Sequence, residues 1–116
     1  MSRKGIVYYN NIECGVIIET DDGYVFRYYE SWLKNPNSMP ISLTLPLTNQ
    51  EYFSYVLFPF FDGLIPEGWL LEIAIQKWKL NRKDRMGLLL SVCKDSIGAV
   101  SVIGDNNLWN VYVVEK

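Results

Sequence analysis

The sequence contains no histidine, the side chain that most often serves as a general base in catalysis. Histidine is also the usual activator of a serine or cysteine nucleophile. The two cysteines, Cys14 and Cys93, are isolated and match no metal or redox spacing, so we predict free thiols in the core. Neither a Walker pattern nor a G-x-G-x-x-G loop is present to hold a phosphate. These absences argue against an enzyme and predict no metal and no cofactor.

Long apolar segments are also missing. The N-terminus leads into a strand-like run without the apolar region of a signal peptide, and no stretch approaches the roughly 20 residues that cross a membrane. We therefore expect a cytoplasmic protein without a membrane partner. The 116 residues, 49% of them hydrophobic, predict a single domain over 1–116 with one core.

Charge of one sign does not dominate, since the net charge is −2. This small negative charge argues against a general nucleic-acid binder. The basic residues are nevertheless unevenly spread, with five of the eleven in nine positions. This basic cluster consists of Lys77, Lys79, Arg82, Lys83 and Arg85. It is explained either as a solvated junction between two helices or as a contact with phosphate groups.

Short segments with a period of two predict antiparallel strands. Asn10-Asn11 and Asp21-Asp22-Gly23 predict turns between the first three strands, which would then form a meander. Strands on both sides of a helical block indicate an α+β fold with a largely antiparallel sheet of five to six strands and two main helices. The predicted strands cover 6–9, 12–19, 24–29, 41–45, 98–103 and 108–114, and Glu30 to Leu33 is predicted as a helical turn.

The first main helix is predicted to begin at Pro66, because proline suits the first turn, where its missing amide hydrogen would have no acceptor. A broad apolar arc on this helix predicts a face toward the core. Trp69 lies about 170° from the centre of that arc, and Ile73 and Leu80 continue a second, narrower apolar strip. The arc consists of Leu70, Leu71, Ala74, Ile75 and Trp78.

The second main helix follows Asn81 and Asp84, either of which can cap its first turn. Apolar residues at i, i+3, i+4 and i+7 give it one core-facing stripe that ends near Lys94. The stripe consists of Met86, Leu89, Leu90 and Cys93, and a further core cluster is predicted from Phe58, Phe60 and Phe61.

Trp69 is a candidate anchor for another protein, because tryptophan offers a large apolar area with little rotamer entropy to lose. Packing of the same strip against the domain's own core is the competing explanation. Glycines at 63 and 68 would let the preceding loop bend and present the indole. The candidate partner-binding residues are Asp62, Gly63, Ile65, Pro66, Glu67, Gly68, Trp69 and Ile73.

Three blocks of the sequence resemble the N-terminal domain of the HipA toxin kinases. Residues 40–47 match a Pro-Ile-Ser-Leu-x-Leu-Pro-Leu segment, and residues 60–67 match Phe-Phe-Asp-x-Leu-Leu-Pro-Asp/Glu. Residues 89–100 match a Leu-Leu segment that ends in Gly-Ala-Val, with Cys93-Lys94 where the family usually has Gly-Arg. The blocks keep their order and spacing, and the resemblance spans essentially the whole chain.

The chain ends at Lys116, where the family continues into its kinase domain, so it resembles the free-standing form, HipS. That resemblance implies an antitoxin-like subunit that binds and inhibits a separately encoded HipA-like or HipT-like Ser/Thr kinase. The setting would be a tripartite toxin–antitoxin system that includes a HipB-like helix-turn-helix protein. The alternatives are a structural or activating subunit that completes the kinase, and a nucleic-acid-binding adaptor that uses the basic cluster. The negative net charge leads us to expect no direct nucleic-acid contact.

Overall fold

The structure is a computed structural model that describes residues 3–93 and 98–104, except for the side chain of Trp69. Within these ranges five strands and four helices form an α+β fold, which confirms the predicted class. The strands are β1 (Lys4–Tyr9), β2 (Ile12–Glu19), β3 (Tyr24–Tyr28), β4 (Tyr52–Ser54) and β5 (Val100–Gly104). The helices are α1 (Glu30–Leu33), α2 (Pro59–Asp62), α3 (Trp69–Trp78) and α4 (Arg85–Val92). The strand predicted over 108–114 lies outside the described residues.

One antiparallel sheet has the strand order β4-β3-β2-β1-β5, and its three central strands are the predicted meander. The β1–β2 turn depends on Asn10 and Asn11, whose φ angles are 49° and 68°. Asparagine tolerates this left-handed region better than most residues, and two such residues match the right-handed twist of a hairpin. The turn chemistry in the sequence therefore determines the pairing of β1 with β2.

The predicted strand over 41–45 is wrong, because this segment forms turns and the fourth strand is β4. The backbone of segment 41–45 bonds to the hydroxyl of Tyr28 rather than to a neighbouring strand. The Ile41 amide donates to that oxygen at 3.0 Å, and the hydroxyl donates to the Leu45 carbonyl. Ile41 and Leu45 are buried as the alternation implied, whereas Leu43 is 96% exposed. A tyrosine hydroxyl is protonated at neutral pH and can donate the second bond; burial raises the pKa of Tyr28 further, to about 12.

The core lies between the sheet and α4. Met86 and Leu89 are fully buried, and the whole predicted stripe of α4 lies in the core. They pack in the same cluster as Val7 and Phe26, which are also fully buried. Both cysteines are free and buried, as predicted, and burial raises the pKa of Cys14 to about 12 and of Cys93 to about 11. No helix in the described part of the chain is both long and apolar enough to cross a bilayer.

Asp84, one of the two predicted caps, is the N-cap of α4. Its carboxylate accepts a hydrogen bond from the Gly87 amide at 3.1 Å. The same carboxylate pairs with Arg3, whose guanidinium also binds Glu19 on β2. The Arg3 contacts are short, 2.8 Å to each Asp84 oxygen and 2.7 Å from Nε to Glu19. This three-residue network therefore joins the first strands to the start of α4.

We expect the network to make the domain less stable in acid. The Arg3 hydrogen bonds hold the pKa of the Asp84 carboxyl below its ordinary value. A depressed folded-state pKa stabilises the domain above the unfolded pKa of about 3.9, and this stabilisation is lost as the pH falls through the folded value. In urea titrations, Asp84→Asn should be less stable than wild type at pH 7, although asparagine still caps a helix, and the gap should shrink toward pH 3. Asp22→Asn in the exposed β2–β3 turn is the matched control; a gap that stays constant with pH would contradict the role of this carboxylate.

Candidate partner-binding surface

Helix α2 positions the loop that contains most of the predicted site residues. Pro59 occupies the first turn of α2, and Phe61 is fully buried with its ring centroid 5.4 Å from that of Phe26. The amide of Leu64 donates to the Phe61 carbonyl, and that of Ile65 donates to the Asp62 carbonyl. The aromatic cluster predicted from the sequence therefore anchors the start of the loop, with Phe58 buried and Phe60 packed against it.

Gly68, rather than Pro66, marks the start of the long helix. Its φ of 67° and ψ of −144° lie outside the helical region and outside what a residue with a Cβ adopts readily. A Cβ placed there would meet no atom within 4 Å, so the backbone conformation and not packing requires glycine. The prediction that the helix begins at Pro66 is wrong, because this glycine redirects the chain and the helix begins at Trp69.

Helix α3 contacts the core along a narrower arc than the sequence predicted. Leu71 is buried, and Ile75 packs against the core one turn later. Leu70 and Trp78 were predicted to face the core but are 52% and 53% exposed. Leu70 is about 100° away from Leu71 around the helix, and Trp78 lies in the last turn of α3, about 10 Å further along the axis than Leu71.

The exposed face of α3 combines Leu70 with Ile73, which is 51% exposed. These residues are three positions apart and therefore neighbours on the helix surface. We name Leu70 and Ile73 the apolar face of α3; Trp78 is exposed separately, in the last turn of the helix and about 140° from Ile73 around it. Of these, Ile73 is a predicted binding residue, whereas Leu70 and Trp78 were assigned to the core, because periodicity alone does not show where the core ends.

The other predicted site residues lie in four different settings. Gly63, Glu67 and Gly68 are exposed, and Pro66 is partly buried beside them. The Ile65 side chain is 2% exposed and belongs to the core, so it is not available at the surface. The Asp62 carboxylate accepts from the Arg85 Nε at 2.6 Å. Trp69 is the first residue of α3, and its side chain is outside the part of the chain that the structure describes.

The basic cluster is partly neutralised within the domain. Arg82 forms a two-point ion pair with Glu72 on α3, with 2.8 Å from Nη2 to Oε1 and a second contact through Nη1. This hydrogen bonding holds the pKa of the Glu72 carboxyl below its ordinary value. Arg85 is paired with Asp62 on α2, so both arginines of the cluster already have carboxylate partners. Arginine is the residue best suited to bidentate phosphate contacts, and its engagement here weakens the phosphate-binding explanation.

A second exposed apolar patch lies at the β4 edge of the sheet and was not predicted from the sequence. Phe53 is 49% exposed and contacts Tyr55 edge to face, with ring centroids 4.9 Å apart. Tyr55 and Val56 are 81% and 69% exposed. Only Ser54 interrupts the apolar run over 52–57, so the sequence has no period of two there that would show which side chains are exposed.

Known proteins share this fold and sequence. The family model of the HipA N-terminal domain matches residues 5–103. An uncharacterized protein of Haemophilus influenzae is 30% identical over 102 residues, which cover 86% of this chain and 91% of that protein. A Sinorhizobium fredii protein whose name describes a kinase is 28% identical over 81 residues, which cover 70% of this chain but 19% of that protein.

The solved structure of the N-terminal domain of HipA toxin superposes with a TM-score of 0.64 at 30% identity. The match covers 90% of this chain and 93% of that one. Sequence and fold thus agree over nearly the whole described chain, which confirms the resemblance seen in the three sequence blocks and associates the domain with toxin–antitoxin systems. The chain belongs to the HipA N-terminal domain family.

Proposed function

We propose that this domain is an antitoxin-like subunit that binds a separately encoded HipA-like or HipT-like Ser/Thr kinase in the cytoplasm and inhibits it. The observation that carries the proposal is the apolar face of α3. Its side chains are about half exposed, and it lies in the first turns of the helix, just after the bend at Gly68. Ordered apolar side chains on a helix next to an exposed loop are typical of a surface that docks another protein. Trp69, at the start of the same helix, would insert at or near the active-site cleft of the kinase.

The relatives support a role beside a kinase. In the Sinorhizobium fredii protein the matched segment is 19% of a much longer chain, whereas in the Haemophilus influenzae protein it makes up 91%. The same domain is therefore found both within a longer protein with a kinase name and almost by itself. A surface that contacts a kinase domain within one chain can make an equivalent contact between two chains, which is the arrangement that we propose here.

Whether the domain inhibits or activates the kinase is tested by adding the purified domain to the purified, separately encoded kinase. The measured quantity is the rate at which the kinase phosphorylates its protein substrate. We expect the rate to fall with rising domain concentration and to saturate, because an occupied active-site cleft excludes substrate. Bovine serum albumin at equal concentration controls for protein crowding. A rate that rises or stays constant, although the two proteins form a complex, would favour the structural or activating subunit instead.

A further inference from the structure

We propose that the C-terminal end of α3 steers the domain onto an acidic surface of its kinase partner. The surface consists of Lys77, Trp78, Lys79 and Lys83, which we name the basic end of α3. Its occupant would be an apolar groove of the kinase with aspartate or glutamate side chains at its rim. This inference rests on the proposed function and adds a second contact region, at the opposite end of the helix from Gly68.

The three lysines remain available for a partner, unlike the arginines of the same cluster. Lys77, Lys79 and Lys83 are all exposed. No carboxylate among residues 3–93 and 98–104 lies within 4.0 Å of their ammonium groups, whereas Arg82 and Arg85 are ion-paired. The ion pair of Arg82 also neutralises Glu72, the only acidic residue of α3. The net charge left at this end of the helix is therefore positive in a chain that is negative as a whole.

An apolar side chain lies within this positive region. The Trp78 indole is 53% exposed, and the Lys77 ammonium is 6.0 Å from its ring centroid. A cation at this distance from an aromatic face is weakly attracted to it. Tryptophan is also the residue most often found as an anchor at protein interfaces. An exposed indole on a positively charged turn, with one ammonium group near its ring, is complementary to an apolar groove with a carboxylate rim.

The turn after α3 keeps these residues in place. Lys79 has a left-handed backbone (φ 54°), which lets the amide of Leu80 donate to the Ile75 carbonyl and returns Leu80 to the core. Asn81 then organises the next residues, because its side-chain oxygen accepts from the Lys83 amide at 2.9 Å. Lys79 and Lys83 are thus carried on an ordered turn that directly follows Trp78.

Electrostatic complementarity of this kind acts mainly on the association rate. Oppositely charged surfaces attract at long range and raise the rate constant of association by about 10- to 1,000-fold at low salt. The dissociation rate depends instead on the buried contacts. The basic end should therefore control kon, and Trp78 should control koff.

Stopped-flow measurement of binding between the full chain and the purified kinase tests this division. We expect Lys79→Glu/Lys83→Glu to lower kon at least about tenfold at low ionic strength, to flatten its salt dependence, and to leave koff within about twofold. Lys4→Glu/Lys34→Glu changes the charge equally at two exposed lysines elsewhere and should leave kon nearly unchanged. Both substituted pairs lie outside the long helices, and thermal melts establish that each variant folds.

Trp78→Ala provides the complementary measurement, with koff expected to rise more than about tenfold while kon stays within twofold. Equal kon values for the two charge-reversed variants at low salt would overturn the inference, even if the wild-type chain binds and inhibits the kinase. Absence of any binding by the wild type would overturn the proposed function together with this surface. If Lys79→Glu/Lys83→Glu instead abolished salt-sensitive binding to duplex DNA and left kinase association intact, the basic end would be a nucleic-acid contact.

Discussion

Cells that produce the active kinase together with the Trp69→Ala variant are expected to stop growing, whereas wild-type domain protects them. A tryptophan anchor at the centre of an interface contributes about 2 kcal/mol or more, and its truncation therefore weakens binding more than tenfold. Trp69 is the first residue of α3, directly after the positive φ of Gly68, so the backbone places it where loop and helix meet. We expect the purified variant to remain folded and its affinity for the kinase, measured by isothermal titration calorimetry, to fall at least tenfold.

Tyr55→Ala is the control for this experiment. Tyr55 is 81% exposed near the β4 edge, so its truncation removes an exposed aromatic of similar size outside the proposed surface. It should protect cells as well as the wild type does. If Trp69→Ala protects cells fully at equal protein abundance, the indole is not the anchor, whatever the kinase does with the rest of the domain.

Phe61→Ala is expected to destabilise the domain by about 3–5 kcal/mol, the usual cost of removing a fully buried aromatic ring. Its side chain is fully buried and contacts the rings of Phe26, Phe58 and Phe60. A loss of this size is a large part of the about 5–15 kcal/mol that stabilises a domain. Urea unfolding followed by circular dichroism measures it, and because Phe61 anchors the loop before α3, binding to the kinase should weaken as well.

Phe53→Ala is the matched substitution, because Phe53 is 49% exposed and packs against Tyr55 rather than within the core. We expect it to cost about 1 kcal/mol or less and to leave kinase binding unchanged. Phe61→Leu, which keeps most of the apolar volume, should recover part of both stability and binding. Equal unfolding midpoints for Phe61→Ala and Phe53→Ala would show that the aromatic cluster does not hold the loop.

The errors in the sequence-based interpretation have a common physical origin. The alternation over 41–45 correctly indicated that Ile41 and Leu45 are buried, yet no strand forms there, because the Tyr28 hydroxyl provides the partner for their backbone. The periodicity of α3 correctly indicated an amphipathic helix but not the width of its buried arc. In both cases the pattern reports which side chains are apolar, and the neighbours that bury them come from distant parts of the chain.

Local chemistry alone determined several features of this protein. The left-handed preference of Asn10-Asn11 and the helical spacing of apolar residues within α4 act over a few residues, so the sequence is sufficient to predict the β1–β2 hairpin and the buried face of α4. It narrowed the N-cap of α4 to Asn81 or Asp84, and the structure shows that Asp84 is the cap. The three family blocks likewise identified the fold. Only the tertiary structure decided which apolar residues of α3 remain exposed and which cations of the basic cluster pair with a carboxylate, because both depend on groups that folding brings together. Exposure of Leu70 reflects where the core ends, and the pairing of Arg85 with Asp62 joins residues 23 positions apart.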